Sequence, residues 1–268
     1  MTDLQQKLLE MLKWFHSFCK DNDLRYYAQG GTVLGAIRHQ GFIPWDDDID
    51  VGMPRDDYNK FIELMKDKPS NVYELETPLS NKDFVYTYCK VYNVNTTLVE
   101  HTRYKTKRGI YLDVFPLDGM GDTEEEMKKR VKFIKSKVNW ISAKTCALRK
   151  GRKWYKNLAI IFARCIPEFI CGWQKTVDRL DKFCAEKSFE DCKYVANAYG
   201  AWGEKEVALR ETYGQPVEVD FEDAKVYVPQ DHDQYLRNLY GDWRQLPPEE
   251  KRVTHHDFLE IDLEKPYR

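Results

Sequence analysis

Apolar side chains recur at Leu4, Leu8, Met11, Leu12 and Phe15, the three-to-four spacing of a helix with one buried stripe. A polar turn, "KDND", follows, and residues 24–28 ("LRYYA") read as a strand. From Gly30 the spacing is helical again. Val33, Leu34 and Ile37 form the apolar stripe of "GGTVLGAIRH", with Thr32 as the candidate cap. After the loop "QGFIPW", the stretch "DDIDVGM" alternates like a strand. Asp46, Asp48 and Asp50 then fall on one face, Ile49 and Val51 on the other. "PRDDYNKFIELMKDK" predicts a helix opened by Pro54. Further strands are predicted at 72–76, 84–91, 96–100 and 109–115, and the pattern is helical from about 123 to about 190. The tail from 194 is mixed, with a helix near 231–240. This order predicts an α/β (α+β) fold, a sheet module over about 20–120 with a helical region packed on it. The expected division is 1–122, 123–195 and 196–268, the last segment packing back on the first.

Length and composition narrow the class. A chain of 268 residues can bury a sizeable core. No uninterrupted apolar run reaches the roughly 18 residues of a membrane span. The longest, "LAIIFARCIPEFICGW", is broken by Arg164, Pro167 and Glu168. The N-terminus reads as an amphipathic helix rather than a secretory signal. Seven cysteines without a CxxC pair argue against a disulfide framework or a zinc site, and for reduced, buried thiols in a cytosolic protein.

The net charge of −2 hides an uneven distribution. Residues 127–167 hold thirteen bases and no acid in 41 residues, so the rest of the chain carries a net −15. Phe133, Ile134, Trp140, Trp154, Tyr155, Leu158, Ile160, Ile161 and Phe162 are interleaved with these bases. Such a segment suits an anionic membrane surface, where each basic residue contributes on the order of 1 kcal/mol. A solvated helix face is the ordinary alternative. Nucleic acid is a third and is not expected.

The run Asp46–Asp47–Asp48 and then Asp50 is the chemical signal. Carboxylates on one strand face repel, and stability alone gives no reason to gather them. An acidic surface loop is the plain reading of three aspartates. Here they lie among buried-type residues, after a glycine pair that opens a helix. Such a helix start binds phosphate through its free N–H groups. Carboxylate oxygens suit Mg²⁺, with Mn²⁺ as an alternative. Asp113 in "GIYLDVFPLD" supplies a third carboxylate from a neighbouring strand, whereas Asp118 reads as a turn cap.

A glycine pair, D-x-D and a distant Asp resemble the nucleotidyltransferase fold, a mixed sheet flanked by helices. In detail "GGTVLGAIRHQGFIPWDDDIDVGMPRDDY" is similar to the LicD family of phosphocholine transferases, to which fukutin-related protein is related. "KVYN" at Lys90, "GIYLDVFPLD" and "LYGDWRQLPPEEKRVTHH" extend the resemblance over most of the chain, 123–195 excepted. The gap from Gly31 to Asp48 is long for nucleotidyltransferases in general. The resemblance implies transfer of phosphocholine from CDP-choline to a sugar hydroxyl, with release of CMP. Asp48, Asp50 and Asp113 would be both catalytic and metal-ligating. Gly30, Gly31, Thr32, Arg38, Lys90 and His255 would hold the donor. Trp45, Tyr240 and Trp243 are the aromatic candidates for the choline head group. The implied acceptor is a lipid-linked glycan precursor of teichoic acid or lipopolysaccharide type. The implied location is cytoplasmic, peripheral at the inner face of the plasma membrane. Three alternatives stay open: another CDP-linked alcohol (ethanolamine, ribitol or glycerol), a nucleotidyltransferase acting on a small molecule or RNA, and a non-catalytic membrane or RNA binding module.

Overall fold

A computed structural model describes residues 1–268 apart from Lys150, Arg152, His255 and Asp257. The chain begins with α1 (Asp3–Asp21), β1 (Tyr27–Ala28), α2 (Gly30–His39), β2 (Asp50–Pro54) and α3 (Arg55–Asp67). Strands β3 (Tyr73–Glu76), β4 (Cys89–Asn93), β5 (Thr97–Glu100), β6 (Lys107–Arg108) and β7 (Tyr111–Gly121) follow. Helices α4 (Glu124–Thr145), α5 (Trp154–Cys165), α6 (Glu168–Cys171) and α7 (Trp173–Ala185) come next. The remainder holds β8 (Tyr194–Asn197), β9 (Val207–Leu209), α8 (Arg210–Tyr213), β10 (Val217–Phe221), β11 (Ala224–Val228), α9 (His232–Tyr240) and β12 (Phe258–Asp262). The result is the expected α/β fold, a mixed sheet flanked by helices.

The main sheet runs β1-β2-β7-β4-β3, with β8 on β7 and β9 on β8. The β2–β7 pair is parallel, the other pairings antiparallel. A parallel neighbour needs a crossover, and the long excursion from α3 through β6 supplies it. β7 is buried along its whole length, as a central strand covered on both faces should be. α1 has the capping box that its sequence allows. Thr2 accepts from the Gln5 N–H, and the Gln5 side chain accepts from the Thr2 N–H. Its stripe of Leu8, Met11, Leu12 and Phe15 joins Tyr26, Phe61 and Val91 in one core. A second cluster gathers Met120, Ile134 and Ile141 with Trp173, Val177 and Leu180 of α7, and seats the helical region on the sheet.

Several expectations are corrected. The strand expected at 84–91 starts at Cys89, and residues 84–88 form a loop whose Tyr86 and Tyr88 turn toward cavities. The strand expected to end at 115 continues to Gly121. Pro116 halts a reading by propensity. Here it falls where one flanking partner changes, β4 ending opposite Val114 and β8 starting opposite Leu117, so its missing N–H interrupts neither ladder. Asp118 is no turn cap. It is fully buried inside β7 and accepts two 2.7 Å hydrogen bonds from Arg55, whose other nitrogen reaches Asp181 at 2.8 Å. Cysteines 165 and 171 are exposed, whereas Cys19, Cys89, Cys184 and Cys192 are buried as expected.

Candidate active site

The helix start, the acidic loop and three adjacent strands meet at one place. Parallel pairing sets Asp50 of β2 directly beside Asp113 of β7, and antiparallel pairing sets Lys90 of β4 beside Asp113 on its other flank. Directly paired residues project to the same face. The sheet therefore presents Asp50, Asp113 and Lys90 as one row. Asp46–Ile49 precede the strand as an extended loop, so the strand expected for all four aspartates is confined to Asp50. The alternation survives even so. Ile49 and Val51 are fully buried on the core side, while Asp48 and Asp50 face a cavity of about 270 Å³.

Hydrogen bonds from the surrounding elements fix this loop. The Gln5 side chain on α1 donates to the Asp46 carbonyl at 2.9 Å. The Asp50 N–H donates to Thr32 Oγ1 at 3.0 Å, and the Gln29 N–H donates to the Asp50 carbonyl at 2.9 Å. Thr32 is thus neither the helix cap nor a wall of the cavity. It is a buried brace behind Asp50, and Gln29 is the N-cap residue. The glycine pair is needed for space. Gly30 has φ +50°, and a Cβ on Gly31 would lie 2.7 Å from Asp46 Oδ2. The phosphate cradle expected here is narrow. The Gly30 N–H is taken by Tyr235 Oη at 2.9 Å and the Thr32 N–H by the Gln29 carbonyl at 3.0 Å. Among the described residues this leaves Gly31 as the open N–H of the first turn.

Crowding makes the carboxylates reluctant to ionise. Burial, then repulsion from Asp48, pushes Asp46 up to about 8. Burial raises Asp48 despite the neighbouring His256. Burial, then Asp48 and Asp113, raises Asp50 well above the usual carboxylate range. Burial raises Asp113 to about 6 against the opposing pull of Lys90. Added positive charge would favour their ionised forms, and that suits a donor set for a hard divalent cation. One atom makes the same point. Asp113 Oδ1 is buried and has Lys90 Nζ at 2.8 Å as its ion-pair partner, with no other donor on it among the described residues. Its Oδ2 accepts from Tyr88 Oη at 3.3 Å.

The basic residues differ from expectation. Lys90 is buried against Asp113 with its ammonium 3.2 Å from the Tyr111 ring centroid, so it acts from beneath the carboxylates and is not open to a donor phosphate. Arg38 leaves the site altogether. It donates to the Trp243 carbonyl at 2.8 Å and clasps the C-terminal segment onto α2. His255 lies outside the described residues. Its neighbour His256, whose role the sequence left open as the other member of the pair, stands in the cavity. Its Nδ1 is 2.7 Å from Asp47 Oδ1 and its Nε2 is 3.6 Å from Asp48 Oδ2. Burial alone would lower its pKa, but the Asp47 hydrogen bond and the Asp48 charge raise it to about 9. Imidazolium is therefore the form at neutral pH. Among the described residues, the ligand atoms converging within 4.8 Å are those of Asp47, Asp48 and His256, while Asp48, Asp50 and Asp113 line the cavity at wider spacing.

The rest of the wall is aromatic and acidic. Tyr88, Phe115, Tyr199, Trp202 and Tyr240 line it, and the Trp202 and Tyr240 rings meet edge-on at 5.3 Å. Glu206 stands beside them, raised to about 7 by burial. Tyr240 is thus at the site, as expected from sequence. Trp243 instead packs in the core with its Nε1 donating to Asp233, and Trp45 packs under Arg252. Trp202 and Glu206 were not found from sequence because nothing near them marks them. They arrive through the turn between β8 and β9.

Comparison with known proteins agrees with this geometry. Residues 23–150 match the family described as LicD/FKTN/FKRP, nucleotidyltransferase domain. The lipopolysaccharide cholinephosphotransferase LicD of Haemophilus influenzae is 29% identical over 271 residues, covering 96% of each chain. An uncharacterized Rickettsia typhi protein, RT0683, is 29% identical over 126 residues, 47% of this chain and 39% of its own. The human ribitol 5-phosphate transferase FKRP is 50% identical over 34 residues, 13% of this chain and 7% of its own. All of the site except its C-terminal wall falls inside the matched stretch, so over residues 23–150 the chain is similar to the LicD/FKTN/FKRP nucleotidyltransferase domains.

Proposed function

We propose that the chain is a phosphocholine transferase that moves phosphocholine from CDP-choline to a hydroxyl of a cell-surface glycan of lipopolysaccharide or teichoic acid type, and releases CMP. The similarity to the LicD cholinephosphotransferase over 96% of both chains carries this reading. The cavity supports it. An anionic diphosphate cannot approach Asp48, Asp50 and Asp113 unaided, and no lysine or arginine stands among the described residues of the wall. Asp48, Asp50 and Asp113 would hold Mg²⁺ or Mn²⁺. When bound, the ion neutralises and polarises the diphosphate oxygens.

The chain's own groups do the rest. The acceptor oxygen attacks the choline-bearing phosphorus, the P–O bond to the CMP oxygen breaks, and CMP carries off the electron pair. Asp113, on the strand beside Asp50, accepts the proton of the attacking hydroxyl at Oδ2. His256, held as imidazolium by Asp47, sets a positive charge beside Asp48 for the leaving phosphate. A quaternary ammonium offers no hydrogen bond and is held by aromatic faces and negative charge. Trp202, Tyr240 and the Glu206 carboxylate supply both. The FKRP match favours a second reading, a CDP-linked polyol such as CDP-ribitol as donor.

Calorimetry separates the two. CDP-choline is expected to bind in the presence of Mg²⁺ and not in chelator, more tightly than CDP-ribitol or CTP. Glu206→Gln should weaken CDP-choline about 2- to 30-fold and leave CTP unchanged. Preference for CDP-ribitol, insensitive to Glu206, would overturn the choline assignment and keep the transferase. Absence of any nucleotide binding would sink both.

A further inference from the structure

The segment from Leu148 to Cys171 inverts the arrangement of an ordinary surface helix. In α5 the buried side chains are Ile160 and Ala163. The large apolar ones face outward: Trp154 is 72% exposed and Phe162 71%, with Leu158 and Ile161 about half exposed. In α6, beyond Pro167, Phe169 is 77% exposed and Ile170 65%. Large apolar side chains exposed to this extent along two consecutive helices mark an interface.

The charge around it selects the occupant. From Arg149 to Arg164 the sequence has six bases and no acid. Lys153 and Lys156 are exposed on either side of Trp154 and Tyr155. The nearest acid in sequence, Glu168, is paired with Lys144 at 3.3 Å and accepts from the Trp173 N–H at 3.2 Å. A second copy docking here would bring like charge against like. A helix of 12 residues is too short to cross a bilayer. Lying flat, it would set aromatic rings at the acyl boundary and ammonium groups among lipid phosphates.

The position of the hairpin agrees. A cleft of about 340 Å³ shares Tyr88, Tyr199 and His256 with the catalytic cavity, and its far end is lined by Cys146, Ala147 and Arg149, the connection that leads into α5. We propose that the α5–α6 hairpin docks the protein on an anionic lipid bilayer and so sets the mouth of this cleft at the lipid surface. The docking surface stands on exposure and charge. Its use for a membrane-borne acceptor rests on the transferase reading.

Co-sedimentation with vesicles tests it. The full chain is expected to bind vesicles of mixed phosphatidylcholine and phosphatidylglycerol, to release them as salt is raised, and to bind pure phosphatidylcholine at least tenfold more weakly. The triple variant Trp154→Ser, Phe162→Ser, Phe169→Ser should lose binding at least tenfold while its melting temperature and its Mg²⁺-dependent affinity for CDP-choline stay unchanged. A dye on the exposed Cys165 or Cys171 should shift to the blue on anionic vesicles. Wild type left in the supernatant, or a triple variant that binds as well as wild type, would overturn the docking surface. So would a concentration-dependent dimer that the triple variant abolishes, since the occupant would then be a second copy. Vesicle binding does not depend on nucleotide binding, so loss of CDP-choline binding alone would count only against the transferase reading.

Discussion

The carboxylate cavity and the α5–α6 hairpin depart from the same rule in opposite senses. The cavity draws three aspartates, Asp48, Asp50 and Asp113, out of bulk water, and the hairpin leaves four large apolar side chains, Trp154, Phe162, Phe169 and Ile170, 65% exposed or more. Each arrangement opposes stability, yet their support differs. Asp50 is held by its strand register, by Thr32 and by Gln29. α5 rests on the fold through Ile160 and Ala163. A reaction centre needs geometry fixed on rigid elements, and a surface that meets a fluid bilayer does not. Mutations should therefore act differently in the two regions.

The largest effect belongs to the cavity. Asp50→Asn should lower CMP release about a thousandfold, the loss of several kcal/mol of charge stabilisation. It should also raise the melting temperature of the metal-free protein, because one of the repelling carboxylates is gone. Activity and stability moving in opposite directions would identify a functional rather than a structural aspartate. If both fall together, the comparison fails.

Asp118 is the control on the same strand. Its carboxylate is fully matched by Arg55, so Asp118→Asn leaves a buried guanidinium half paired. It should cost about 3 kcal/mol in urea unfolding. CMP release per folded molecule should change less than tenfold. Asp113 and Asp118 are five residues apart on one strand and face opposite sides, one toward the cavity and one toward Arg55.

That contrast also shows how far the sequence was legible. The α2 span and the D-x-D follow from spacing and period, which local sequence carries, and Asp113 stands out by its apolar strand context. The placement of Asp118 does not, because its partner Arg55 lies 63 positions away. Nor do the burial of Lys90, the diversion of Arg38 to the Trp243 carbonyl, or the arrival of Trp202, Glu206 and His256 from the C-terminal third. Each depends on a long-range contact that composition does not encode. The basic, aromatic middle was visible as a pattern, but only the structure shows which side of α5 is left bare.

A smaller effect follows from protonation. The folded values of Asp46 and Asp113, about 8 and about 6, lie above the ordinary 3.8. A raised carboxylate costs stability when ionised, so stability is gained as pH falls through these values. His256 acts in the same direction. Its stabilising charge is present below its ordinary 6.5 and is lost as pH rises through about 9. In chelator the melting temperature should therefore climb by about 5 °C from pH 8.5 to pH 6. Excess Mg²⁺ should flatten that slope. A melting temperature that falls over the same interval in chelator would mean the aspartates are not crowded in the free protein.

The smallest effect lies on α5, where two neighbours make an internal comparison. Phe162 is 71% exposed and Ile160 is 6% exposed, one turn-half apart on the same helix. Burial, not residue size, sets the cost of truncation. Ile160→Ala should destabilise by about 2 kcal/mol through the cavity it leaves. Phe162→Ser, which removes more apolar surface, should change unfolding free energy by no more than about 0.5 kcal/mol. Urea titration of the two variants reads the difference directly. If Phe162→Ser proved the costlier change, the ring would be packing against the fold in solution. The exposed face would then belong to the core, and its contrast with the carboxylate cavity would vanish.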